Sequence, residues 1–297
     1  MTEPGLFARL LQAHEVLVAD GGMGTLLFER GLEAGGCPEL LNVDGPDIVA
    51  GIHAEYVEAG ADIILTNTFG GTAARLGHFG FEARVAELNK AGVAIARDVA
   101  ACTERPVIVA GSMGPTGELF APYGPLDEIR ARDLFAEQAT ALAEARADVL
   151  WIETMSSMDE VAAAYEAASK TGTPIVTTMS FDTHGKTMMG VSAADLGNWA
   201  ASQQKPPIAI GANCGIGPDD VVAAASELTK ATPDLPVVAK ANCGLPVFVG
   251  GELQYPLQPD EMPSYATAAI GAGARIIGAC CGSVPGHIAA IRMTVDG

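Results

Sequence analysis

Short apolar runs rich in β-branched residues recur about every 30 to 40 residues, and each gives way to a glycine-rich or polar turn and then an alanine-rich amphipathic stretch. The runs predict strands at Val16–Asp20, Ile63–Asn67, Val107–Gly111, Val149–Thr154, Ile175–Ser180, Ile208–Asn213, Val237–Asn242 and Arg275–Cys280. Helices are predicted over Asp47–Ala59, Glu82–Ala101, Asp127–Ala145, Asp159–Lys170, Ala193–Ser202, Pro218–Lys230, Asp260–Gly271 and Pro285–Arg292. Pro46-Asp47, Pro218-Asp219, Pro259-Asp260 and Pro285 supply helix-start signals. Repeated strand-helix units argue for an α/β fold, a single (β/α)8 TIM barrel over residues 1–297, with a doubly wound open sheet as the alternative. Gly5–Ala13 is expected to be a short helix over the barrel floor. Gly244–Pro259, the longest insertion, is expected to be a lid or a contact surface.

Composition sharpens this picture. The chain has 297 residues, 49% of them hydrophobic and only 5% aromatic, with 35 glycines, which suits a globular protein with an aliphatic, alanine-rich core. Its 36 acids against 17 bases give a formal charge of −19, a field that repels nucleic acid and anionic lipid. The first residues lack a basic segment followed by an apolar one, and the longest uncharged run, Ile276–Ile291, contains Pro285 and falls short of a membrane span. These features lead us to expect a cytoplasmic protein without a membrane anchor. Six cysteines in a chain of this length do not form a disulfide framework, and reduced thiols are expected.

In a barrel, the residues at the strand ends face one cavity. Here they include Asp20, Asn67 and Thr68, Ser112, Glu153 and Thr154, Ser180, Asn213 and Cys214, Asn242 and Cys243, and Cys280 with Cys281. Cys214 in Gly-Ala-Asn-Cys-Gly and the pair in Gly-Ala-Cys-Cys-Gly each stand where an apolar run meets a glycine. Adjacent cysteines can share one ion only where a strand ends, and Gly282 supplies that break. Three such thiols have the composition of a catalytic zinc site with one coordination position left for another ligand. Packing is the competing reading for buried cysteines. Cys102 is expected to be such a core filler, and Cys243 either a fourth ligand or a rim residue. The five histidines lack metal-ligand spacing and are expected to lie on the surface or pack between helices, with His184 in a turn.

A tris-thiolate zinc suits a substrate thiol better than water, and a coordinated thiolate can attack an activated methyl group. Asp20 and Glu153 could hold an ammonium, and the Gly21-Gly22-Met23-Gly24-Thr25 turn offers N–H groups to a carboxylate, together describing an amino acid thiol. Lys240 on a barrel strand gives a competing reading, a Schiff-base lyase or aldolase. A third is a non-catalytic zinc- or thiol-binding subunit of a methyl-transfer complex.

The segments Asp20-Gly-Gly-Met-Gly-Thr25, Thr66-Asn-Thr-Phe-Gly70, Gly111-Ser-Met-Gly-Pro115, Trp151-Ile-Glu-Thr154, Gly211-Ala-Asn-Cys-Gly215 and Gly278-Ala-Cys-Cys-Gly282 resemble the homocysteine S-methyltransferase family over nearly the whole chain. The resemblance implies a zinc-dependent barrel that makes methionine from L-homocysteine, with Cys214, Cys280 and Cys281 as ligands. It also implies homocysteine contacts from Asp20, Gly21, Gly22, Thr68, Glu153 and Asn213, the acids binding the amine. Family members draw their methyl group from betaine, S-methylmethionine or methylcobalamin. Cys37 and Gly70 stand where betaine enzymes carry aromatic residues, which weakens betaine. Asp62-Ile-Ile-Leu-Thr-Asn-Thr-Phe69 is similar to the homocysteine module of cobalamin-dependent methionine synthase. The expected donor is therefore methylcobalamin on a separate corrinoid protein, ahead of a small onium donor, and a homo-oligomer is also allowed.

Overall fold

The computed structural model describes residues 5–249 and 252–297. Eight parallel strands follow one another around a barrel: β1 (Leu17–Val18), β2 (Ile63–Leu65), β3 (Ile108–Met113), β4 (Val149–Met155), β5 (Ile175–Met179), β6 (Ala209–Cys214), β7 (Val237–Ala241) and β8 (Ala274–Ala279). β8 pairs with both β7 and β1, and the parallel bridge Ala19↔Ile63 closes the ring between β1 and β2. The closed (β/α)8 barrel expected from the alternation is present, and the open-sheet alternative is not.

The strands read as unbroken apolar runs because both their faces are covered. Leu17, Ile63, Ile108, Val149, Val176 and Val238 point inward and fill the barrel, while Val18, Ile64, Val109, Leu150 and Ile210 pack outward against the helices. The helix Leu6–Ala13 closes the floor as expected, burying Phe7 and Leu10 among the inward-facing residues.

Boundaries moved where side chains take over backbone hydrogen bonds. β1 ends at Val18 instead of Asp20, and the Leu65 N–H next in line donates to the Asp20 carboxylate (2.7 Å). The stretch expected as one helix from Glu82 begins with a 3-10 turn, Glu82–Arg84, before the helix Val85–Ala101. Short helices at Met23–Glu29, Leu41–Asp44 and Ala73–Gly77 lie in segments that read as loops. Cys102 does not fill the core: it is exposed at the C-terminal end of the helix Val85–Ala101. Within the Gly244–Pro259 insertion, Val247–Val249 pairs antiparallel with Glu252–Gln254. Residues 250 and 251 of that insertion, and residues 1–4 of the chain's start, lie outside the described residues. No described helix is long and apolar enough to cross a membrane.

Candidate metal and substrate site

At the carboxyl ends of β6 and β8 the sulfurs of Cys214, Cys280 and Cys281 all lie within 4.8 Å of one another. Ligands on a tetrahedral ion at about 2.3 Å would stand roughly 3.8 Å apart, so the trio fits a zinc-sized soft cation after small side-chain adjustments. The hydrogen bonds among the three thiols pull in opposing directions, and with burial the balance lifts Cys214 to about 12 and Cys280 well above its ordinary range. Three sulfurs this close resist shared ionisation, and a cation among them would reverse that preference.

Local backbone geometry makes the convergence. The Cys280 N–H donates to the Ala241 carbonyl (2.7 Å), and the chain then turns through Gly282 at φ +83°. A Cβ at Gly282 would lie 2.2 Å from the ring of Tyr255, which the insertion lays against this turn. Cys214 adopts the left-handed region (φ +65°) without being glycine, a strained conformation that aims its side chain at the cluster. Gly22 presses on the same structure, since a Cβ there would meet the Cys280 carbonyl oxygen at 2.7 Å.

Asn242, at the end of β7, ties the two cysteine turns together. Its amide nitrogen donates to the Gly215 carbonyl (2.7 Å) and its oxygen accepts from the Cys281 N–H (3.0 Å). The sequence reading placed Asn242 at a strand end without a role. The repeat of Ala-Asn-Cys-Gly at 212–215 and 241–244 was the available signal. The second cysteine of that repeat behaves differently from the first: Cys243 is fully buried and is not among the converging sulfurs.

The thiols open onto a cavity of about 240 Å³ inside the barrel mouth, roomy enough to admit an amino acid. Asp20, Glu153 and Lys240 line its polar wall, and Met23, Leu65 and Phe69 its apolar one. Lys240 Nζ donates to Asp20 Oδ1 at 2.7 Å, both side chains being 3% exposed. Glu153 accepts from the Ser112 hydroxyl. Burial pushes the Asp20 and Glu153 carboxyls up, opposed at each by Lys240. Burial pulls the Lys240 ammonium down, but Asp20 and Glu153 outweigh it and hold the group above its ordinary value. The ion pair with Asp20 opposes the free amine that a Schiff base on Lys240 would require.

The remaining expected contacts stand at varying distance from the cavity. Gly21 and Gly22 line it, but the Gly22 N–H donates to Ser283 Oγ (2.9 Å). Thr68 is fully buried, its hydroxyl donating to the Ser112 carbonyl (2.8 Å), and lies behind the wall. Asn213 is also behind it, accepting from the Thr154 N–H (2.8 Å) and donating to Thr154 Oγ1 (2.7 Å). Glu39, which the sequence reading missed, lines the cavity and accepts from the Gly70 N–H (2.6 Å). Asn67 holds that segment in place through the Pro38 carbonyl (2.8 Å). No period or motif marks Glu39, because it sits in a single 3-10 turn, Pro38–Leu40, too short to show a periodic pattern.

Fold and site together define a (β/α)8 barrel whose mouth carries a trio of thiols beside a small charged cavity. The homocysteine S-methyltransferase family profile matches residues 17–295, and the chain belongs to that family. It is 33% identical to methionine synthase of Mycobacterium leprae over 95% of this chain and 24% of that protein. The match to methionine synthase of Mycobacterium tuberculosis is also 33%, over 95% of this chain and 25% of the relative. The chain thus spans about a quarter of the length of these curated relatives. Among solved structures, the metallated form of the homocysteine methyltransferase MmuM from Escherichia coli superposes with a TM-score of 0.81 at 25% identity, covering 96% of this chain and 98% of that one.

Proposed function

We propose that this chain methylates the thiol of L-homocysteine to give methionine, with Zn2+ held by Cys214, Cys280 and Cys281. The observation that carries this reading is the convergence of the three sulfurs at the mouth of a cavity that admits an amino acid. Bound there, the metal would strip the substrate thiol of its proton at neutral pH while leaving the sulfur nucleophilic. The chain's own residues do the rest. Glu153 offers a carboxylate for the substrate ammonium, Met23 and Phe69 wall off water beside the thiols, and Asn242 fixes the two cysteine turns relative to one another.

For the methyl donor, the surface around the mouth favours a macromolecular carrier such as a methylcorrinoid protein. Leu119 and Tyr123 after β3, Met188 and Met189 after β5, Ile216 after β6 and Leu245 after β7 are all exposed, Tyr123 at 82%. All stand in loops that follow strand carboxyl ends, so they share the face on which the cavity opens. An apolar rim of this kind suits docking of another protein surface. A small onium donor is the second reading: the match to the homocysteine methyltransferase MmuM extends over 98% of that chain, so the barrel by itself accounts for a whole relative.

The test is to supply zinc-loaded chain and L-homocysteine with betaine, S-methylmethionine, free methylcobalamin and a methylcorrinoid protein in parallel, and to measure methionine. Methionine formed with the corrinoid protein supports the first reading, and turnover only with a sulfonium or betaine supports the second. No methionine from any donor, with zinc bound, contradicts the assignment.

A further inference from the structure

His287 is 4% exposed, and both of its ring nitrogens are engaged. It stands in the first turn of the helix Pro285–Asp296, into which the cysteine turn leads. Its Nδ1 accepts from the Val284 N–H (3.1 Å), which caps that helix and leaves the ring proton on Nε2. Nε2 therefore donates to the Leu257 carbonyl (3.1 Å), in the insertion that follows β7. The imidazole thus joins the helix start behind the cysteine turn to the far end of the insertion, 30 residues away in sequence.

Leu257 is gripped from its other side as well. Its N–H donates to the Cys243 carbonyl (3.1 Å), and the Cys243 N–H donates in turn to the Cys281 carbonyl (2.9 Å). Two residues earlier, the Tyr255 ring lies against Gly282, whose N–H donates to Oγ1 of the cavity-lining Thr25 (3.0 Å). Burial, and then the Cys281 thiol, push the Tyr255 phenol up, with smaller pushes from Cys214 and Cys280, and a hydrogen bond to Thr25 opposes them. The hydroxyl therefore stands beside both the thiol cluster and Thr25. Tyr255 is itself only half-buried, so its own burial holds it weakly, and the two bonds at Leu257 fix the backbone that carries it.

We propose that His287 is a positioning residue for the metal site: through Leu257 it holds Tyr255 over the Cys280–Cys281–Gly282 turn, so that the ring screens the thiols and their metal from solvent and competing chelators. This rests on Cys214, Cys280 and Cys281 binding zinc. His287 supplies no ligand, since both its nitrogens are bonded, and it acts only through Tyr255. When its bond to Leu257 is lost, the ring swings away more often. Metal then enters and leaves faster by the same factor, so zinc content at equilibrium does not change. One hydrogen bond of this kind shifts such a local opening equilibrium about fivefold.

The experiment is stopped-flow transfer of zinc from the zinc-loaded full-length chain to an excess of a chromogenic chelator, with zinc content measured alongside. His287→Asn keeps an oxygen that can accept the Val284 N–H, so the helix start survives, but it is too short to reach Leu257. Zinc should leave this variant about fivefold faster than wild type, at full zinc content. His287→Glu caps the same helix start without a donor for Leu257, and it makes the same cut if the asparagine variant does not fold. His287→Gln, which extends an amide N–H toward Leu257, should stay within about twofold of wild type. Tyr255→Ala should release zinc about fivefold faster or more, and adding His287→Asn to it should change the rate by less than about twofold, because nothing is left for the histidine to hold. Release within about twofold of wild type in His287→Asn or His287→Glu, effects that multiply in the double variant, or loss of zinc at equilibrium overturns the role of His287 alone. A wild type that binds no zinc overturns the metal reading, and with it this one.

Discussion

Replacing Asn242 by alanine removes the two hydrogen bonds that join the cysteine turns, at 2.7 Å to the Gly215 carbonyl and 3.0 Å to the Cys281 N–H. A buried polar group left alone costs about 1 to 3 kcal/mol, but Gly215 and Cys281 are both only half-buried and water can reach them. The lower figure therefore applies, about 1 kcal/mol for each bond and about 2 kcal/mol together. Other elements hold the barrel closed, so most of this loss falls on the arrangement of Cys214 against Cys281. About 2 kcal/mol is roughly a 30-fold loss of metal affinity, inside the 10- to 100-fold range typical of residues that orient metal ligands. Asn242→Asp keeps the acceptor for Cys281 and loses the donor to Gly215, so about half of the free-energy loss is expected. Competition for zinc against a chelator of known affinity measures both variants. An Asn242→Ala protein that folds with native circular dichroism and binds zinc within about threefold of wild type would refute the reasoning.

Three further outcomes follow from other parts of the molecule. Gly282→Ala places a Cβ at a φ of +83° and 2.2 Å from the Tyr255 ring. It should lower both thermal stability and zinc content, and Tyr255→Ala in the same chain should restore only the share due to the clash. His53 is fully buried with neither ring nitrogen bonded, and burial holds its imidazole down to about 4. The unfolded chain therefore takes the proton first: the stability that neutral His53 permits is complete above pH 6.5 and declines by about 3 kcal/mol as pH falls to 4. In urea titrations at pH 7 and pH 4.5, His53→Leu should lose less stability than wild type between the two, and equal losses would contradict this origin. Phe7, 3% exposed in the barrel floor, should cost about 3 to 5 kcal/mol when replaced by alanine, and a denaturation midpoint within error of wild type would show that the helix Leu6–Ala13 does not seal the barrel.

Much of the barrel was legible because strands buried on both faces leave uninterrupted apolar runs, and the alanine-rich helices between them carry start signals at proline and aspartate. The short helices Met23–Glu29 and Ala73–Gly77 were not legible. At seven and five residues they are too short to show a helical period or to be stable alone, and tertiary packing sustains them. At the site, Cys280 and Cys281 were readable because two neighbouring thiols can share one centre only at a strand end. The spread of Asp20's bonds was not readable, since nothing local tells that Lys240, 220 residues away, occupies one of its oxygens. Cys243 shows the same limit, for it repeats the tetrapeptide around Cys214 yet lies outside the cluster. Cys214 is turned toward it by a left-handed backbone (φ +65°) that no residue identity announces.

The central claim is that three particular sulfurs hold one metal ion, and zinc K-edge X-ray absorption on the purified, reduced chain, with zinc counted by elemental analysis, tests it most directly. One zinc per chain with three sulfurs at about 2.3 Å is expected, rising to four sulfurs when L-homocysteine is added. Alanine at Cys214, Cys280 or Cys281 should abolish stoichiometric binding, and alanine at Cys243 should leave it unchanged. A chain that keeps its full zinc content after any one of the three substitutions, or whose bound zinc sees fewer than three sulfurs, would contradict the account.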